Sequence, residues 1–165
     1  MKKEMTEQEA YLQLAALCAQ AEHCQYEMLE KMKRWELPEP SQARVMARLV
    51  KERYVDDERY ARAFVKDKIR YNKWGRRKVQ QALWMKRIDD HIQQTVLDEI
   101  DDEDYLCVLK PLLKQKSKSI KADNDYERHL KLVRFALGRG FTFDIIRQCL
   151  DTSDINEDEF EEDED

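Results

Sequence analysis

"YVDDERYARAFVKDKIRYNKWGRRK", residues 54–78, alternates an acidic start, an amphipathic run, a break at glycine and a second, basic start. Asp56 or Asp57 is placed to N-cap a helix reaching about Asn72, because a short side-chain oxygen there satisfies amides that lack an intrahelical partner. Ala61, Phe64, Val65 and Ile69 then share one face of a helical period. Lys73–Gly75 interrupts that period, and a second helix is predicted from about Arg76 to Lys86, carrying Val79, Ala82 and Leu83. Asp89 or Asp90 caps a third helix with Ile92, Val96 and Ile100.

The same pattern recurs along the chain. A shift of 51 residues sets Ala10, Leu14 and Cys18 on Ala61, Val65 and Ile69, and sets Met28, Met32 and Leu37 on Val79, Leu83 and Ile88. A further shift of 53 places Leu132, Ala136, Phe141, Ile145, Cys149 and Leu150 under Val79, Leu83, Ile88, Ile92, Val96 and Leu97. Thr6 and Glu9 have capping-box spacing at the first copy's start. Pro38 and Pro40 push the start of its third helix to Ser41. In the third copy Pro111 kinks or starts the first helix, "KQKSKSIKADND" forms a long connection, and Gly140 stands where a C-terminal cap belongs.

Three glycines and three prolines are too few for the turns of a β-sandwich, while 39% charged residues suit long helices with brief connections. The predicted fold is therefore all-α: three tandem three-helix repeats, 5–55, 56–101 and 102–151, stacked into an elongated, curved array because each is too small to be stable alone. Residues 151–165 hold ten acids and no Lys or Arg, so 152–165 reads as a disordered acidic tail that buries nothing. Without that run, 25 acids face 30 Lys and Arg, and the overall charge of -5 becomes mildly positive.

Positive charge concentrates in the quoted stretch, with seven bases against Asp67 between Lys66 and Lys78. Arg59, Arg62, Lys66, Arg70 and Lys73 form one helical stripe opposite the apolar face, and Arg76, Arg77 and Lys78 extend it. Three cations at a helix start oppose the helix dipole and hint at an external anion. The stripe reads either as a solvated face or as a surface for a polyanion, single-stranded nucleic acid or an acidic protein. Five such contacts to DNA phosphate give a log–log salt slope of about -4. Tyr71 and Trp74 are assigned to packing first and to base stacking second.

Cys18, Cys24, Cys107 and Cys149 lack metal-ligand spacing and read as small apolar side chains of a reducing compartment. Phosphate-binding glycine loops, metalloprotease and nucleophile-elbow motifs are absent, and paired acids at helix starts are explained by capping. The expectation is a non-enzymatic protein with no cofactor and no metal. A broken apolar run at the N-terminus reads as a helix rather than a leader, which places the chain in the cytoplasm and off the membrane.

"YVDDERYARAFVKDKIR" followed by "WGRRKVQQALWMKRI" resembles the RecX family of regulatory proteins, with its acidic helix start and its G-x-x-[KR]-[IV]-x-x-x-L helix. "EMLEKM" in the first copy and "GRGFTFDIIRQCL" in the third are similar to other motifs of that family, and the resemblance spans residues 8–150. Where the family often has glycine between the second and third helices of a copy, Glu36 and Arg87 stand here, and only Gly140 keeps it. Either those residues adopt a left-handed conformation or the turn differs. The resemblance implies a partner of the RecA filament on single-stranded DNA that mainly inhibits RecA's recombinase, ATPase and coprotease activities in recombination, DNA repair and the SOS response, and the chain is expected to act as a monomer. On that reading Arg59, Arg62, Lys66, Arg70, Lys73, Arg76, Arg77 and Lys78 face DNA or the filament. A direct DNA-binding helical regulator and a helical adaptor for an acidic partner are the alternatives.

Overall fold

Side-chain oxygens begin the helices. Thr6 Oγ1 accepts the Glu9 amide at 3.1 Å, and Glu9 Oε2 accepts the Thr6 amide at 3.4 Å, completing the capping box. Asp56, rather than Asp57, caps its helix by accepting the Arg59 amide at 3.0 Å, and Asp89 accepts the His91 amide at 2.9 Å. Asp57 instead accepts the Gln25 amide at 2.8 Å, and burial raises its carboxyl pKa.

The computed structural model describes residues 4–161. Its helices are α1 (Glu7–Gln20), α2 (Gln25–Arg34), α3 (Glu39–Lys51), α4 (Asp57–Arg70), α5 (Arg76–Met85), α6 (Asp90–Asp98), α7 (Asp102–Ser119), α8 (Asp125–Gly138), α9 (Phe143–Cys149) and the short α10 (Asp158–Glu161). No strand occurs among the described residues, so the all-α helical repeat expected from periodicity is the observed architecture.

One turn recurs between the second and third helices of each repeat. Glu36, Arg87 and Gly140 have φ of 58°, 56° and 91°. The next residue then donates its amide five residues back: Leu37 to Met32 O at 3.1 Å, Ile88 to Leu83 O at 3.2 Å, and Phe141 to Ala136 O at 3.1 Å. Leu37, Ile88 and Phe141 are all buried. A left-handed L-residue costs about 1–2 kcal/mol, and burying a large apolar side chain contributes about 1.5–3 kcal/mol. Burial wins, so the turn forms without glycine in the first two repeats.

Two boundaries differ from the sequence reading. Helix α3 begins at Glu39, with Pro40 inside its first turn, where a missing N–H leaves no bond unmade. Helix α7 runs through Pro111 to Ser119, which shortens the expected long connection to residues 120–124. The Arg128 guanidinium donates to Ser117 O at 2.7 Å and closes the C-terminal end of α7.

The chain packs as two compact units, one comprising residues up to Val65 with Ala82–Val96, the other Lys66–Gln81 with residues from Leu97 onward. In the first, α1 and α2 pack on α3 around Ala10, Leu14, Met28, Met32, Leu37, Val45 and Leu49. Two buried glutamines serve equivalent turns there: Gln42 Nε2 donates to Leu37 O and Gln93 Nε2 to Ile88 O, each at 2.7 Å. In the second, α7, α8 and α9 pack together around Leu109, Val133, Ala136, Phe141 and Ile146.

The acidic end departs from the composition-based expectation. Ile155 and Phe160 are only 9% and 6% exposed, so residues 152–160 do bury apolar surface. Residues 162–165 of the expected tail lie outside the described residues. Among the described residues, no helix is long and apolar enough to cross a membrane.

Burial in the first unit pushes the Cys24 thiol up to about 11 from its usual 9.0, and also raises the Tyr60 phenol. The fold retains these protons after the unfolded chain has released them. The folded chain then binds more protons, so stability is full below pH 9 and falls as pH rises toward 11. Denaturant midpoints measured across pH 8–11 should decline above pH 9, with a shallower early decline for Cys24→Ala. Identical profiles for the two proteins would contradict the burial of this thiol.

Candidate nucleic-acid interface

Arg59 and Arg62 lie in the first unit. Arg59 Nε contacts Glu22 Oε1 at 2.6 Å, and its Nη2 donates to Arg53 O at 3.0 Å and Tyr54 O at 3.3 Å. It therefore ties down the connection between α3 and α4 and balances a half-buried acid. Arg62 sits 3.6 Å from Glu58 one turn earlier.

The other predicted cations belong to the second unit. Lys66, Arg70, Lys73 and Arg77 are exposed, whereas Arg76 and Lys78 are half-buried. Arg76 turns inward, donating to Leu97 O at 3.1 Å and pairing with Asp98 at 2.9 Å. Lys78 and Lys68 place their ammonium groups 4.9 and 5.1 Å from the centre of the Trp74 ring. Trp74 is thus half-buried beside two lysines. Tyr71 does not pack as expected: it is 68% exposed, with the Arg70 guanidinium 5.5 Å from its ring centre. An exposed aromatic beside exposed cations is the arrangement that stacks a base and holds its phosphate.

The start of α5 is held from within the unit. Gly75 donates its amide to Arg139 O at 2.8 Å, and Arg77 donates its amide to Gly140 O at 3.0 Å. The Arg139 side chain returns the contact, donating to Lys73 O at 3.3 Å and also to Asn72 O. Carbonyls of this chain therefore answer the Gly75 and Arg77 amides at that start, which weakens the case that its cations demand an external anion. A Cβ on Gly75 would lie 2.3 Å from the Phe141 amide nitrogen, and one on Gly140 would lie 2.4 Å from Lys78 Cβ. The two turns meet backbone to backbone, and this meeting positions Arg76, Arg77 and Lys78.

Sequence reading missed further cations. Lys110, Lys114 and Lys118 recur every fourth residue on α7 and line a cleft of about 490 Å³ with Arg128 and His129. Their spacing was the available signal. In the first unit, Trp84 and Met85 are exposed beside the buried Leu83. Among the described residues, no cluster of three or more His, Cys, Asp or Glu is placed to hold a metal.

Residues 56–97 match the model of the second three-helix domain of RecX, and residues 102–150 match that of the third. The regulatory protein RecX of Vibrio campbellii is 29% identical over 150 residues, covering 91% of this chain and 93% of that protein. That of Oceanobacillus iheyensis is 26% identical over 132 residues, and there the match covers 80% of this chain but only 48% of the longer relative. Among solved structures, RecX from Lactobacillus salivarius superposes with a TM-score of 0.80 at 19% identity, covering 91% of this chain and 97% of that one. At that identity the likeness concerns the fold.

Two glycines give opposite expectations. Gly75→Ala forces a Cβ into backbone and should cost about 1–3 kcal/mol or more. Gly138→Ala meets nothing within 4 Å at the end of α8 and should gain up to about 0.5–1 kcal/mol. Urea unfolding of both variants checks the pair, and equal stabilities would refute the close meeting of the two turns. Arg76→Ala should lose about 1 kcal/mol of stability, as a half-exposed pair plus a charged hydrogen bond to backbone suggests.

Proposed function

The chain belongs to the RecX family, and we propose that it binds the RecA nucleoprotein filament on single-stranded DNA and restrains RecA's ATPase, recombinase and coprotease activities. It acts in recombination, DNA repair and the SOS response, in the cytoplasm, as a monomer and without catalysis of its own. Three repeats, bounded near 5–55, 56–101 and 102–151, offer successive contacts, and linked contacts gain affinity through effective concentration.

The observation that carries this reading beyond family membership is the exposed set Lys66, Arg70, Lys73 and Arg77, with Tyr71 exposed among them. Arg59 and Arg76 act through the fold instead, since each holds at least one backbone carbonyl and a carboxylate. Arg62 and Lys78 flank the exposed set, one beside Glu58 and one over Trp74.

The test is RecA's DNA-dependent ATP hydrolysis, with the natural chain beside a Lys66→Glu, Arg70→Glu, Lys73→Glu, Arg77→Glu variant of unchanged helix content. The natural chain should slow hydrolysis at substoichiometric ratios, and the variant should lose that effect. No slowing by the natural chain refutes RecA as the partner, and full slowing by the variant refutes the cation surface. If the four cations meet phosphates of single-stranded DNA, the direct binding constant should show a log–log salt slope of about -3.

A further inference from the structure

The acidic run from Asp151 contains two large apolar residues, Ile155 and Phe160, and both are buried. Phe160 packs on Phe143 with ring centres 5.7 Å apart, and the Arg134 guanidinium lies 5.9 Å from the Phe160 ring centre. Between the two anchors, Glu157 pairs with Arg147 of α9. Asn156 accepts the Asp158 amide at 3.1 Å and starts α10. A four-residue helix does not persist without such anchoring.

This segment forms one wall of an open groove of about 1010 Å³ within the second unit. Arg77 and Lys78 of α5 and Arg134 of α8 supply its positive charge, Leu137, Phe143 and Phe160 its apolar surface, and Glu157 its one carboxylate. Arg134 and the groove itself were not legible as a site, because they become neighbours of Arg77 only through folding.

We propose that residues 155–160 are a tethered competitor that walls this groove, and that its displacement uncovers the full cationic face to the phosphate backbone of single-stranded nucleic acid. The proposal rests on the reading of Arg77 and Lys78 as polyanion-binding residues. Charge complementarity is one support: Glu157 lines the groove that Arg77, Lys78 and Arg134 make positive, so the acidic segment lies where a phosphate chain would meet those cations. The aromatic anchor is the second. Phe160 sits against Phe143 and Arg134, and its departure exposes an aromatic face beside a guanidinium, which suits a stacked base followed by its phosphate. Displacement is feasible because the Arg147–Glu157 pair is partly exposed, and such pairs hold weakly.

The test needs no RecA, so its outcome is separable from that of the filament reading. Fluorescence anisotropy of a labelled oligo(dT) at low salt compares the full chain with a Glu157→Gln, Asp158→Asn, Glu159→Gln variant, which keeps both anchors, and with Phe160→Ala. A groove open about one fifth of the time weakens apparent binding about fivefold, so both variants should tighten binding by roughly that factor. Adding Arg134→Glu should cancel the gain. Equal affinity for all forms overturns the proposal, as does a gain that survives Arg134→Glu. A gain for an acidic peptide with none for oligo(dT) overturns the assignment to nucleic acid.

Discussion

Leaving the second helix of a repeat, the backbone turns left-handed at Glu36, Arg87 or Gly140, and the following residue drops into the core. The bond made five residues back ties that buried residue to the helix it has just left. Placement of the third helix depends on this closure. Glutamate and arginine occupy the first two turns because the φ angle is the only demand there, and buried Leu37 and Ile88 outweigh its cost. Gly140 faces a second demand. Lys78 approaches so closely that a Cβ would not fit.

That second demand links the turn to the charge. Gly140 and Arg139 lend their carbonyls to the amides of Arg77 and Gly75, and the Arg139 side chain covers the carbonyls at Asn72 and Lys73. The basic start of α5 is therefore built against a backbone surface rather than left to find an anion. Of the cations gathered there, Arg76 turns inward to Leu97 and Asp98, while Lys73 and Arg77 remain outward. An exposed polar stripe has been sorted by its neighbours into inward and outward members. The outward members support the proposed engagement of a nucleoprotein filament.

How legible this was depends on how far apart the partners lie. Caps at Thr6, Asp56 and Asp89 were readable because donor and acceptor stand two or three residues apart. The apolar repeat was readable because burial imposes a period, and Leu14, Met28, Leu83 and Phe141 are all buried. The internal roles of Arg59 and Arg76 were not, since their acidic partners lie 37 and 22 residues away. Composition also misled at the acidic end, where charge hid Ile155 and Phe160, two residues with the size to anchor a segment. Tyr71 was assigned to packing, yet its position beside the helix end leaves it outside.

The most direct measurement of the central claim is lysine footprinting by acetylation, read by mass spectrometry, with and without RecA filaments on single-stranded DNA. Lys66 and Lys73, both exposed in the free chain, should lose reactivity when filaments are added, while exposed Lys51 of α3 keeps its own. Unchanged reactivity of Lys66 and Lys73, with filament binding demonstrated in the same sample, would contradict the claim that this surface meets the filament.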